Sequence, residues 1–218
     1  MNANDAKPLF TIGHSNVEAA AFVGLLRQHG VQTVADVRSS PYSQYTPQFN
    51  REILQVTLKQ AGVRYVFLGD ELGARRAERE CYENGQAVYE RIAQTPLFKS
   101  GLERLLSGAQ NFRIALMCAE KDPLTCHRTI LICRNLKKRA AELRPAETVA
   151  EIEIQHIHSD GHLESHAEAE TRLLQTLKLP PEDLFKTPAE ILNEAYALQG
   201  RKIAYAEEGE GGEAIPAI

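Results

Sequence analysis

Cys126, His127 and Arg128 stand side by side, with Cys118, Glu120 and Asp122 shortly before them. A thiol acts as a nucleophile or redox centre when its thiolate is favoured, and a helix start with an adjacent cation favours it. Residues 112–128, FRIALMCAEKDPLTCHR, have the layout that positions such a group. An apolar strand (Ile114, Ala115, Leu116, Met117) leads into a polar loop with an Asp122-Pro123 turn, then a helix opening with Cys126, His127 and Arg128. Thr125 is the expected N-cap. Free N–H groups in that first turn, together with Arg128, would hold an anion. Cys126 is therefore either a reactive thiol or a small residue packing the turn. Cys118 reads as core or as support for the site. Cys133, three residues from both Ile130 and Leu136, reads as packing, and Cys81 sits in a charged loop.

The elements that must position these residues alternate between strand and helix. Strands are expected at 9–13, 33–37, 64–68, 112–117 and 149–158, with helices at 17–29, from about 50 to 60, 129–141 and 167–179. Ser15 and Glu18 have capping-box spacing before the first helix. Residues 74–107 read as irregular helix, Pro96 opening a second one. In 149–158 the alternation of Ile152, Ile154 and His156 with Glu151, Glu153 and Gln155 predicts a half-exposed edge strand, followed by a tight turn at Asp160-Gly161. The pattern predicts an α/β fold: three layers around a mainly parallel, Rossmann-like sheet of about five strands. The expected organisation is a domain at 1–179, a helical extension at 180–205 packing on it after Pro180-Pro181, and a disordered Gly- and Glu-rich tail at 206–218.

Ligands of parallel sheets bind beyond the carboxyl ends of the strands. Here those ends carry His14 and Ser15; Asp36, Arg38, Ser39 and Ser40; Gly69, Asp70 and Glu71; Cys118 and Glu120; His156 and His158. Their coincidence predicts one shared pocket facing Cys126, His127 and Arg128. In it His14, Glu120 and Cys126 are assigned proton transfer or attack. Ser15, Asp36, Arg38, His127 and Arg128 are assigned to ligand binding. The plainer alternatives are a structural Asp36–Arg38 ion pair and a His14 that only closes its turn. Cys118, Cys126, His127, His14 and His156 include enough soft and imidazole donors for zinc. With neither C-x-x-C nor H-E-x-x-H spacing, no metal is assigned and the cofactor stays open.

The same residues carry a resemblance. TIGHS at 11–15, DVRSSPYS at 36–43, YVFLGDELG at 65–73 and CAEKDPLTCHR at 118–128 resemble the bacterial DUF488 family, supported by HIHSDG at 156–161 and RKIAY at 201–205. One departure is Ala74, where many relatives carry a second glycine. The resemblance implies an α/β fold and marks His14, Asp36, Arg38, Cys118, Glu120, Cys126, His127 and Arg128 as motif positions. It implies no reaction, since the family is one of unknown function.

Composition narrows the classes. Hydrophobic content of 43% and charged content of 25% suit an ordinary globular protein. No apolar run reaches a membrane span, and the opening MNANDAKPLF lacks an export pattern, so a cytoplasmic protein with reduced cysteines and no membrane partner is expected. The net charge of -4 equals that of Glu207, Glu208, Glu210 and Glu213, the only charged residues after Tyr205, which leaves the body near neutral. Arg134, Lys137, Lys138, Arg139 and Arg144 form a basic helical run, read as a solvated face or a nucleic-acid contact. Phosphate-loop, dinucleotide and serine-hydrolase signatures are absent. The leading expectation is an enzyme acting on a small anionic, phosphate- or nucleotide-bearing ligand. The alternatives are a non-catalytic nucleotide or nucleic-acid binding module, and a thiol-redox or metal module using Cys118 and Cys126.

Overall fold

The computed structural model describes residues 8–142 and 152–207. The chain runs β1 (Leu9–Gly13), α1 (Ala19–Gln28), β2 (Thr33–Asp36), α2 (Arg51–Gln60), β3 (Arg64–Phe67) and α3 (Gly69–Leu72). A short hairpin, β4 (Tyr82–Glu83) and β5 (Gln86–Ala87), precedes α4 (Tyr89–Ile92) and α5 (Pro96–Asn111). Then come β6 (Ile114–Cys118), a π-helical stretch (Arg128–Cys133) running into α6 (Arg134–Glu142), β7 (Ile154–Ile157), β8 (Leu163–Ser165), α7 (His166–Leu177) and α8 (Pro188–Ile203).

Six strands form the central sheet in the order β3-β2-β6-β1-β7-β8. Every pairing is parallel except β7 with β8. Strands β1, β2 and β6 are almost wholly buried, which is why they read as continuous apolar runs. Alternate residues of β6 feed two cores: Ile114, Leu116 and Cys118 pack under α5, α6, α7 and α8, while Ala115 and Met117 pack under α1 and α2. The fold is thus a three-layer, mainly parallel α/β sandwich.

Three details differ from the sequence reading. The sheet has six strands because the Asp160-Gly161 turn returns the chain as β8, so β8 and not β7 is the edge, and His156 is buried. Residues 149–151 of the expected strand lie outside the described residues. The irregular helix expected at 74–107 contains the β4–β5 hairpin, whose Asn84 and Gly85 both have positive φ (50° and 76°), the geometry of a tight primed turn. Finally, Glu18 takes the N-cap position of α1 without a side-chain cap, while Ser15 sits in the left-handed region at φ 47°. Its N–H donates to the Ala119 carbonyl at 2.8 Å, tying the β1 end to the β6 loop.

The C-terminal helix docks through specific contacts. Thr187 and Glu190 close a reciprocal capping box at its start. Further along, Gln199 donates to the Leu124 carbonyl at 2.7 Å, and Tyr196 reaches His166 at 3.0 Å. After α8, Ala206 bridges Gln86 in antiparallel fashion and the Ala87 N–H donates to the Tyr205 carbonyl at 2.8 Å, so the chain end lies along the hairpin. Residues 208–218, most of the expected tail, lie outside the described residues, as does Arg144 of the basic run. No helix among the described residues is long and apolar enough to cross a membrane.

Candidate functional site

Because β2 and β6 are neighbours, their C-terminal loops face each other, and a cavity of about 320 Å³ opens between them. Arg38, Ser39 and Ser40 come from the β2 end; Cys118, Ala119 and Glu120 come from the β6 end. Thr125, His127, Arg75, Tyr89, Ile203 and Tyr205 complete the lining. The Arg75 guanidinium lies 4.4 Å from the centre of the Tyr205 ring, so the C-terminal segment holds a cation and an aromatic face at the mouth.

The helix after β6 starts on Cys126 rather than Thr125. Cys126 is extended (φ -130°, ψ 139°), its carbonyl accepts from Thr129 and Ile130 N–H, and the Arg128 N–H points at its Sγ at 3.4 Å. The sulfur therefore occupies the capping position usually filled by a side-chain oxygen. Thr125 instead donates its hydroxyl to the Asp122 carbonyl.

Four reactive groups converge at one side of the cavity: Cys118, Glu120 and His127 line it, and Cys126 lies against them. Cys126 Sγ and Glu120 Oε2 share a hydrogen bond at 2.9 Å, and His127 Nδ1 lies 3.6 Å from Cys118 Sγ and 3.9 Å from Cys126 Sγ. His127 Nε2 sits 3.0 Å from the Val37 carbonyl, which can only accept, so Nε2 carries a proton. Burial opposes a thiolate at Cys126, but the hydrogen bond from Cys118 and the charges of Arg128 and His127 hold this thiol well below its ordinary range. The Cys118 thiol, donating to Cys126 and fully enclosed, is pushed well above it. Glu120 is exposed as a residue, yet its carboxylate lies down in the cavity; burial and the neighbouring Cys126 sulfur raise its pKa.

Among the described residues the cavity wall includes Arg38, Glu120 and His127 of the residues read from the sequence, but not His14, Ser15, Asp36, Cys126 or Arg128. Cys126 lies one layer below, against Glu120. His14 stands behind Arg38. Its ring stacks on Phe49 at 4.2 Å, Nδ1 donates to the Ser15 carbonyl at 2.7 Å, and Nε2 accepts from Arg38 Nη1 at 3.2 Å. Burial and the Arg38 charge hold it neutral, its pKa lowered to about 4. Asp36 is fully enclosed and pairs with Arg38 at 2.6 Å; both residues are largely occupied with each other. Ser15 directs its hydroxyl to Asn16.

Arg128, 1% exposed, donates to the Glu120 carbonyl at 2.6 Å and the Lys121 carbonyl at 3.1 Å. Its guanidinium is a clamp on the β6 loop and does not line the cavity, where the sequence assigned it to an anion. The clamp explains Gly13: a Cβ there would lie 1.9 Å from the Glu120 carbonyl oxygen and 3.2 Å from Arg128 Nη2. His156 is built into a separate chain, Thr11–His156–His166–Tyr196–Glu170, away from the cavity.

Sequence reasoning missed Arg75, Tyr89 and Tyr205. Tyr205 lay within the RKIAY motif, but Arg75 and Tyr89 fall in the irregular segment, where no periodicity marks them. The family model for the domain of unknown function DUF488 matches residues 18–134, which include the β2 end, the β6 loop and the Cys126-His127-Arg128 start. This chain belongs to the DUF488 family. No curated protein and no solved structure matches it.

Proposed function

We propose that this DUF488 protein is an enzyme acting on a small phosphate- or nucleotide-bearing ligand bound at the C-terminal edge of its sheet. The observation that carries this reading is the make-up of one cavity: a cation and hydroxyls at the rim, aromatic faces on the wall, and a carboxylate over two sulfurs at the floor. Arg75 and the hydroxyls of Ser39 and Ser40 would bind the anionic group, beside the Asp36-paired Arg38 on the same wall. Tyr89 and Tyr205 offer faces for a base or sugar. Glu120, with its raised pKa, is suited to exchange a proton with the bound ligand, and Cys126 lies within hydrogen-bond reach of it.

Docking on nucleic acid through α6 has less support, because Arg134 reaches Glu90 and Arg139 reaches Glu103 and Glu142. The test is calorimetry with inorganic phosphate, AMP and ADP. Binding of at least one, weakened roughly ten- to a hundredfold by Arg75→Ala, is expected for loss of a hydrogen bond to a charged group. Glu120→Gln should keep binding and lose turnover once a substrate is found. If none of the three binds, or Arg75→Ala binds as well as the parent, the reading fails.

A further inference from the structure

The floor of the cavity has the donor set of a transition-metal centre, and this goes beyond the ligand reading above. Cys118 Sγ, Cys126 Sγ, His127 Nδ1 and a Glu120 carboxylate oxygen all lie within 4.8 Å of one another. A tetrahedral zinc with bonds of about 2.3 Å to sulfur and about 2.0 Å to nitrogen sets sulfur and nitrogen roughly 3.6 Å apart. His127 Nδ1 stands 3.6 Å from one sulfur and 3.9 Å from the other. The imidazole is also braced as metal-bound histidines are: Nε2–H is held on the Val37 carbonyl at 3.0 Å, so in the neutral ring the Nδ1 lone pair points between the sulfurs.

We propose that Cys118, Glu120, Cys126 and His127 form a four-ligand site for a zinc-type divalent transition metal. The two sulfurs and the imidazole are buried and fixed by β6 and the helix start, so they are the permanent ligands. Glu120 is exposed and faces the cavity, so it is the exchangeable fourth ligand. Its departure would turn a coordination position toward the bound molecule, the arrangement of a catalytic rather than a structural centre. Metal entry releases the thiol protons to solvent and replaces the Cys126–Glu120 hydrogen bond by two metal–ligand bonds, letting this 2.9 Å contact open. The soft pair of sulfurs with one imidazole selects zinc, or cobalt in its place, over magnesium or calcium.

The experiment is a cobalt(II) titration of the full chain, stripped of metal and kept reduced, read by absorption and followed by displacement with zinc. One equivalent should give an intense thiolate-to-cobalt band with tetrahedral d–d bands, bleached by zinc. Cys118→Ser and Cys126→Ser should each abolish or strongly diminish the thiolate band, Cys81→Ser should keep it, and Glu120→Gln should bind about tenfold more weakly. Absence of a thiolate band in the parent protein, or its survival in both Cys118→Ser and Cys126→Ser, overturns the proposal. Should circular dichroism show that the cysteine variants do not fold, Glu120→Gln decides: weaker binding supports the site and unchanged affinity overturns it. The titration contains no anionic ligand, so its failure leaves the reading of the cavity as an anion site standing, and failure of phosphate or nucleotide binding leaves the metal centre standing.

Discussion

Replacing Asp36 by Asn should destabilise the fold heavily while changing almost no volume. Asp36 is fully buried and accepts from Arg38 N–H, Nε and Nη2 at 3.1, 2.9 and 2.6 Å and from the Tyr65 hydroxyl at 2.8 Å. Arg38, 6% exposed, has Asp36 as its ion-pair partner; its Nη groups otherwise donate to His14 Nε2 and the Phe49 carbonyl. Asn keeps one acceptor oxygen but turns an NH₂ toward Arg38 Nη2 and leaves a buried guanidinium without its counter-charge. Breaking one partner of a buried pair costs about 3–5 kcal/mol, and the retained acceptor puts this case near 3. With an m-value of about 2 kcal/mol/M, the urea midpoint should fall by roughly 1.5 M. Arg38→Met on the Asp36→Asn background should cost less than the two single changes added together, because the stranded charge has gone. The assay is equilibrium urea unfolding followed by circular dichroism. A loss below about 1 kcal/mol for Asp36→Asn, the worth of an ordinary hydrogen bond, would show that the pair is hydrated or its charge carried elsewhere.

Three other outcomes are expected. Gly13→Ala should destabilise by about 1–3 kcal/mol or more, since its Cβ meets the backbone oxygen of Glu120 rather than a yielding side chain, and thermal melting would detect it. Arg128→Lys should also destabilise, by roughly 1.5–3 kcal/mol, because one ammonium cannot span the Glu120 and Lys121 carbonyls as the guanidinium does; an unchanged melting temperature would refute the clamp. For His166, burial lowers the pKa from 6.5 to about 3, so the unfolded chain binds the extra proton first and stability falls as pH drops through this window. The loss attributable to it is about 2 kcal/mol between pH 7 and pH 5, and His166→Gln should make the slope of pH-dependent unfolding shallower, the buried His14 and His156 supplying what remains.

The local pattern of the chain determined a good deal. Strands β1, β2, β3 and β6 lie where apolar runs predicted them, and the parallel α/β class follows because strands separated by helix-length connections pair in parallel. The juxtaposition of Cys118 and Glu120 with Cys126 and His127 was legible for the same reason: one strand, one tight loop and one helix start bring them together. The hairpin inside the stretch read as irregular helix was missed, although Asn84-Gly85 has the composition of a tight turn, because strands of two residues are too short to show alternation.

What the tertiary structure decided is which strand ends face which. The chain makes β1 and β2 in succession, yet β6, formed far later, inserts between them, and no local periodicity records that order. That insertion sets Arg38 opposite Glu120 and leaves His14 behind Arg38, against Phe49, where its lone pair is already used. It also turns Arg128 onto the loop carbonyls instead of the cavity, a choice made by burial of a charge that must find acceptors. Arg75, Tyr89 and Tyr205 reach the mouth only because the hairpin and the chain end after α8 pack on each other. Side-chain type announces which chemistry a residue can do; whether it does so at one site depends on non-local pairing and on where each polar group finds its partner, and those are properties of the packed fold.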